Sequence, residues 1–120
     1  MQYKIYQVKI PEGLDFESKE AEERYTRLRT QSIYGYLEEY VHRLDYREVY
    51  SGTLTDEEIL DKCDFQILNA LFDRFNLNPP EDFTGLSMSA SDVVELINAD
   101  GHSEFFYCAG IGWDAMPNGF

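Results

Sequence analysis

The spacing of apolar side chains changes repeatedly along this chain, and these changes constrain the fold more than any other feature. Residues 3–10 alternate and are rich in β-branched and aromatic types, which predicts a strand. From about residue 16 to residue 44, apolar side chains recur at intervals of three and four, as in an amphipathic helix. Gly35 lies inside that segment, so we expect it to divide the segment into two helices. Residues 46–52 indicate a second strand.

The second half of the chain continues with a helix followed by strands, and its boundaries are clearer. Thr55 can cap a helix and Glu58 follows three residues later, a capping box that predicts a helix start. We expect this helix to break near Asp64 and to stop at residues 76–80, because proline cannot continue a helix. Further strands are predicted at Val93–Ile97, Glu104–Cys108 and, in a short form, Ile111–Met116. Residues 1–120 are therefore predicted to form one α+β domain, with helices packed on one face of a small, mostly antiparallel sheet.

Charge is distributed unevenly along the chain, whose formal net charge is −13. Residues 1–52 carry ten acidic and eight basic side chains, residues 53–120 carry thirteen and two, and no Lys or Arg follows Arg74. A surface with only negative formal charge repels nucleic acid and anionic membranes, and it attracts a basic protein surface. We therefore expect a basic surface of a host protein as the partner, with no direct binding of nucleic acid or membrane. The predicted partner-binding acids are Glu81, Asp82, Asp92, Glu95, Asp100, Glu104 and Asp114.

The C-terminal tail offers a second candidate surface, made of Ile111, Trp113, Met116 and Phe120. Trp is enriched among the residues that anchor interfaces, and Asp114 beside Trp113 would add charge to the rim. Trp113 is therefore included among the predicted partner-binding residues. The alternative is that Trp113 closes the core of the domain, and the sequence leaves both readings open.

Few residues suit catalysis or metal binding. His42 and His102 have no second His or Cys at ligand spacing, so a zinc site has little support. The segment 85–89 lacks the final Gly of a nucleophile elbow. Cys63 and Cys108 fit no metal spacing, and we expect two reduced, buried thiols. No catalytic residue and no cofactor is predicted.

No apolar run reaches the roughly eighteen residues of a membrane span, and no secretory leader is predicted. A cytoplasmic location follows as an expectation. Adjacent acids such as Glu81 and Asp82 could still serve a divalent metal ion, which keeps an enzyme among the hypotheses.

Several segments together carry a family likeness: Tyr3–Gln7, Tyr46–Gly52, Leu71–Asn76, Gly85–Val94 and Gly110–Trp113. Their order and content resemble the YodL-like domain, found in proteins of conjugative and other mobile elements of Firmicutes. The most specific part is Ser-Met-Ser-x-Ser-Asp-Val-Val at residues 87–94. The resemblance implies a bacterial cytoplasm and a mobile-element setting, and it carries over no catalytic residue. The chain departs from the family in its long first helical region and in the Trp113-Asp114 pair that follows Gly112.

Three hypotheses of function follow. The first is a non-enzymatic inhibitor of a host nucleic-acid-targeting defence protein, of anti-CRISPR or anti-restriction type, whose carboxylates stand in for phosphates. The second is an accessory interaction module that docks through the C-terminal aromatic surface. The third is an enzyme that uses acidic residues and a divalent metal ion.

Overall fold

A five-stranded sheet organises the fold, with the strand order β2-β1-β3-β4-β5. The structure is a computed structural model that describes residues 1–9 and 19–120, without the side chains of residues 19–22, 32 and 33. The strands are β1 Gln2–Val8, β2 Tyr46–Thr53, β3 Val93–Ile97, β4 Ser103–Cys108 and β5 Trp113–Met116. The helices are α1 Lys19–Thr30, α2 Asp56–Ile59 and α3 Asp64–Leu77, with short 3-10 turns at Gln31–Tyr34 and Arg43–Asp45.

The strand pairings among the described residues are all antiparallel, and β1 lies between β2 and β3. Ile5 faces Tyr50 of β2 and Val94 of β3, so its side chain is enclosed by both neighbours. The pairing of β1 with β2 shifts by one residue between Ile5 and Tyr6, which is a β-bulge on an otherwise regular ladder. The predicted α+β class and small antiparallel sheet are thus confirmed.

Helix α3 covers one face of the sheet. Its apolar side chains recur at helical spacing and are buried against strand residues whose side chains point to that face. Leu68 and Phe75 are almost fully buried there. The core on this face contains Tyr3, Ile5, Val49, Leu54, Ile67, Leu68, Leu71, Phe75, Met88, Val94, Leu96, Phe106, Cys108 and Trp113.

The opposite face is also covered by a helix, which corrects the prediction that the helices pack on one face. Tyr25 and Leu28 of α1 pack on this second face, together with Tyr36 and Phe120. The buried residues here are Tyr6, Val8, Val41, Tyr46, Val93, Tyr107 and Met116. The sheet therefore has an apolar core on both faces, so most side chains of its central strands β1, β3 and β4 are buried.

The first helix is shorter than its apolar periodicity predicts. Helix α1 ends at Thr30, the chain continues as a 3-10 turn, and residues 35–42 contain no helix. Gly35 adopts a φ of +77°, which leaves the helical region. The backbone N–H of Tyr36 donates to the Asp114 carboxylate at 2.8 Å, so a distant residue takes over from the helical hydrogen bond. The predicted helix over residues 35–44 is wrong for this reason, and residues 16–18 lie outside the described part of the chain.

The boundaries predicted for α2 and α3 are confirmed. Glu58 and Thr55 form the expected capping box, in which the Thr55 hydroxyl accepts from the Glu58 N–H at 3.3 Å. The break near Asp64 is present, because a new helix, α3, starts there. Its start is capped by Gln66, whose side chain accepts from the Cys63 N–H at 2.9 Å. Helix α3 ends at Leu77, before Pro79 and Pro80. The helices in the described ranges are all too short or too polar to cross a bilayer.

Candidate interaction surface

Asp92 was predicted to be a surface acid, and the structure corrects this because its side chain is fully buried. Its carboxylate accepts from the Ser89 N–H at 2.9 Å and from the Gln7 amide at 3.1 Å, and it pairs with Arg29 at 3.4 Å. Burial raises the pKa of Asp92 to about 7, against the opposing effect of these three donors. A cation from the front half of the chain thus faces this carboxylate inside the fold.

Glu95 is the second predicted surface acid that lies in the interior. Its two oxygens accept from the Tyr6 hydroxyl at 2.8 Å and from the Ser103 hydroxyl at 2.6 Å. Burial and the hydrogen bond to Glu95 raise the pKa of Tyr6, so its hydroxyl stays protonated and donates. Glu95 joins strands β1, β3 and β4 and is not available to a partner of the folded chain.

Trp113 is also buried, which corrects its assignment to the exposed tail surface. Its indole N–H donates to the Asn69 side chain at 3.1 Å, and its ring packs edge-on against Phe72. Asp114 is half-buried and holds the turn at Gly35 through the Tyr36 N–H. Of the predicted tail residues, Ile111 alone is strongly exposed, at 97%.

The two cysteines differ in exposure. Cys63 is exposed at the start of α3, which corrects the expectation of two buried thiols. Cys108 is buried, and burial raises the pKa of its thiol to about 12, so it stays protonated and inert.

Four predicted acids remain on the surface, in two places: Glu81, Asp82, Asp100 and Glu104. Glu81 and Asp82 follow the end of α3, where Asp82 accepts from the Tyr50 hydroxyl at 3.2 Å. Asp100 and Glu104 belong to the β3–β4 hairpin. The single continuous face expected from the acids beyond Arg74 is therefore not present.

A different group of acids gathers at one end of the sheet. Gln2 pairs with Thr53 of β2 on one side and with Ile97 of β3 on the other. The end of β2 and the β3–β4 turn therefore lie at the same end of the sheet, along the strand direction. Helix α2 follows β2 directly, and Asp64 shares a cavity wall with Glu104. We define the acidic end by its half-buried or exposed carboxylates: Asp56, Glu57, Asp61, Asp64, Asp100 and Glu104.

Cations are few at the acidic end. Lys62 is the one basic side chain between residues 53 and 73. The chain's amino group also lies there, donating to the Leu54 carbonyl at 3.4 Å. The remaining field is negative, so the end attracts a cationic surface. Sequence reasoning missed the α2 acids because it assigned them to helix capping, although Asp56, Glu57 and Glu58 are all exposed.

Sequence reasoning also missed a strained position in the Ser-Met-Ser-x-Ser-Asp segment. Ser91 has a φ of +83°, which side-chain-bearing residues rarely adopt. Its carbonyl accepts from the Tyr46 hydroxyl at 2.7 Å, while its own hydroxyl is buried with no partner among the described residues. This geometry turns the chain so that Asp92 enters the interior next to Gln7.

The fold and site define a class: a small α+β domain whose specific serine-rich segment builds an internal hydrogen-bond network and whose acids concentrate at one end of its sheet. The family model of the YodL-like domain matches residues 2–118, nearly the whole chain. The chain belongs to the YodL-like domain family. No curated protein and no solved structure matches it.

Proposed function

We propose that this chain is a non-enzymatic protein-binding module that docks a basic partner surface through the acidic end. The observation that carries the proposal is that the segment leading into α2 and the β3–β4 hairpin, both with exposed carboxylates, leave the same end of the sheet, where Asp64 and Glu104 also line one cavity. Carboxylates that share a face raise the local negative potential, which speeds encounter with a cationic surface and disfavours anionic ones.

The proposed partner class is a nucleic-acid-targeting protein of a bacterial host, in the setting of a mobile element. A protein that binds nucleic acid carries a basic surface for phosphates, and exposed carboxylates can occupy such a surface. The burial of Asp92 and Glu95 removes two acids from the predicted phosphate-like array. The proposal therefore depends on the acidic end and on its α2 residues, and no longer on the whole chain beyond Arg74.

The test is affinity capture from a bacterial lysate with two charge-matched variants. The first variant is Glu57→Gln, Asp61→Asn and Glu104→Gln, which neutralises part of the acidic end. The control is Glu23→Gln, Glu39→Gln and Asp73→Asn, which removes the same charge from exposed positions elsewhere. Wild type and control should capture one protein at low salt, and the acidic-end variant should lose it.

Two further measurements give the result its meaning. Capture should fall steeply as salt rises, because the screening length shortens to about 8 Å near physiological ionic strength. Duplex DNA added to the captured complex should displace the domain if the partner surface binds nucleic acid. Equal capture by both variants, or capture that ignores salt, would refute docking through the acidic end.

A second candidate function keeps one specific observation in its favour, which is the 97% exposure of Ile111 beside the buried Trp113. An accessory module docking through this tail would lose its partner on Ile111→Ser and be indifferent to neutralisation of the acidic end.

A further inference from the structure

An open cavity of about 570 Å³ lies between α2, α3 and the segment after α3. Its wall on α3 is one helical stripe, because Ile67, Ala70, Leu71 and Arg74 are spaced by three and four residues. Ala70 is the small member of that stripe, so it leaves room where a larger side chain would fill the groove. Pro79 and Pro80 follow the end of α3 and also line the cavity.

The floor of this cavity is apolar. Ile67 and Leu71 are buried in the main core, and Leu54 closes the side next to α2. A volume of this size is within the range of roughly 300–1,000 Å³ that ligand cavities occupy in proteins. The cavity therefore has the size and the lining for the apolar part of a small molecule.

The charge at the rim is the unusual feature. Residues 53–120 contain two basic side chains, Lys62 and Arg74, and both line this cavity. Neither forms an ion pair with a carboxylate in the described part of the chain, although acids outnumber bases strongly around them. Two such cations beside an apolar floor favour a ligand that carries a negative group on an apolar body.

The rim also contains the carboxylates Glu58 and Glu81. Glu58 is engaged at the start of α2, where it accepts from the Thr55 N–H at 3.4 Å. Glu58 is exposed and lies four residues before Lys62, so its negative charge offsets that of Lys62 at this end of the rim and leaves Arg74 as the anchor for an anion. Glu81 is the carboxylate that a bound anion has to avoid, and it gives the rim a preference for one orientation of the ligand.

We propose that this cavity binds a small organic carboxylate with an aliphatic tail, whose carboxylate is held by Arg74 and whose tail lies on Leu71, Ala70 and Ile67, in the direction of Lys62. The cavity borders the acidic end at Lys62 but takes a ligand of the opposite charge on an apolar floor, so it is a binding activity beyond the proposed docking function.

Three probes of equal chain length test the assignment: octanoate, octan-1-ol and octylammonium. Each is titrated into the full chain at neutral pH, with isothermal calorimetry and amide chemical shifts as readouts. We expect saturable binding of octanoate, with an affinity at least about tenfold above that of the other two probes. This ratio corresponds to a difference in binding free energy of about 1.4 kcal/mol. The shifted amides should be those of α3 around Ala70 and of the segment around Pro80.

Variants then separate charge from shape. The double variant Lys62→Gln with Arg74→Gln should bind octanoate about tenfold or more weakly than wild type, in line with the strength of charge-assisted hydrogen bonds. The control Arg27→Gln with Arg47→Gln removes the same charge from exposed positions outside the cavity and should change affinity by less than about twofold. Ala70→Leu adds a good helix former at an exposed position and should abolish binding of every probe by filling the groove.

Several outcomes would overturn the assignment. Octan-1-ol binding as tightly as octanoate would show an apolar groove without anion recognition. Tighter binding of octylammonium would show that Glu81 and Glu58 dominate the rim. An equal loss in the Arg27 and Arg47 control would mean that net charge, and not the cavity, controls the affinity. None of these results bears on capture by the acidic end, so the two proposals fail independently.

Discussion

The buried carboxyl of Asp92 makes the stability of this domain depend on pH. In the folded chain its pKa lies at about 7, because burial disfavours the charged form more than Ser89, Gln7 and Arg29 favour it. In the unfolded chain the pKa of an Asp side chain is about 3.9. The folded state therefore binds a proton more tightly than the unfolded state does between these two values.

The sign of the effect follows from linkage. A pKa raised on folding contributes stability that is fully present below about 3.9 and is lost as the pH rises through about 7. Within that window the free energy of unfolding falls by about 1.4 kcal/mol for each pH unit. Between about pH 5 and about pH 7, the contribution of Asp92 should fall by about 2 kcal/mol.

The measurement is urea unfolding of wild type and Asp92→Asn across this pH range. Asn keeps a side-chain oxygen for the Ser89 N–H but does not titrate. The free energy of unfolding of the variant should therefore lack the decline of about 2 kcal/mol that linkage gives for Asp92. Repulsion among surface acids affects both proteins alike and cancels in the difference. The control Asp73→Asn changes an exposed acid on α3, so its free energy of unfolding should decline with pH as that of wild type does. Parallel stability curves for wild type and Asp92→Asn would refute the reasoning.

Three further predictions concern stability, each measured by urea unfolding at one fixed pH. Ser91→Gly should stabilise the domain by about 1 kcal/mol, because it relieves the φ of +83° and removes a buried hydroxyl with no described partner; a loss of stability would contradict this. Gly52→Ala should cost about 2 kcal/mol, since a Cβ there lies 2.6 Å from the Tyr3 hydroxyl oxygen, and a neutral result would mean that the Tyr3 ring moves freely. Leu68→Ala should cost about 3 kcal/mol because its side chain is fully buried under α3, and a cost below about 1 kcal/mol would show that the site collapses.

Much of the fold was predictable because its signals are local. The alternation in β1, the capping box of Thr55 and Glu58, and the end of α3 before Pro79 each depend on residues within a few positions of one another. The helix predicted beyond Gly35 failed for the opposite reason. Its end is stabilised by Asp114, seventy-eight positions from Tyr36, and periodicity carries no information about such a contact.

The candidate site was harder to predict, although one signal was present. Val93–Ile97 is apolar at every position but Glu95, on both faces of the strand, and this is typical of a strand that is covered on both sides. An acid in the middle of that run, Glu95, is then expected inside the fold and needs hydrogen-bond donors. The identity of those donors, Tyr6 and Ser103, depends on strand order and register, which the sequence does not state.

Formal charge along the sequence is therefore a poor guide to the field outside this molecule. Asp92 and Glu95 act as internal hydrogen-bond acceptors. The segment that leads into α2 and the β3–β4 hairpin leave the same end of the sheet, because Gln2 pairs with both Thr53 and Ile97. Charge reversal at Glu95 would place a lysine against the Tyr6 and Ser103 hydroxyls in the interior, so it reports on folding. Charge reversal at the exposed Glu104 changes the surface field alone, so the pair of variants separates loss of fold from loss of binding.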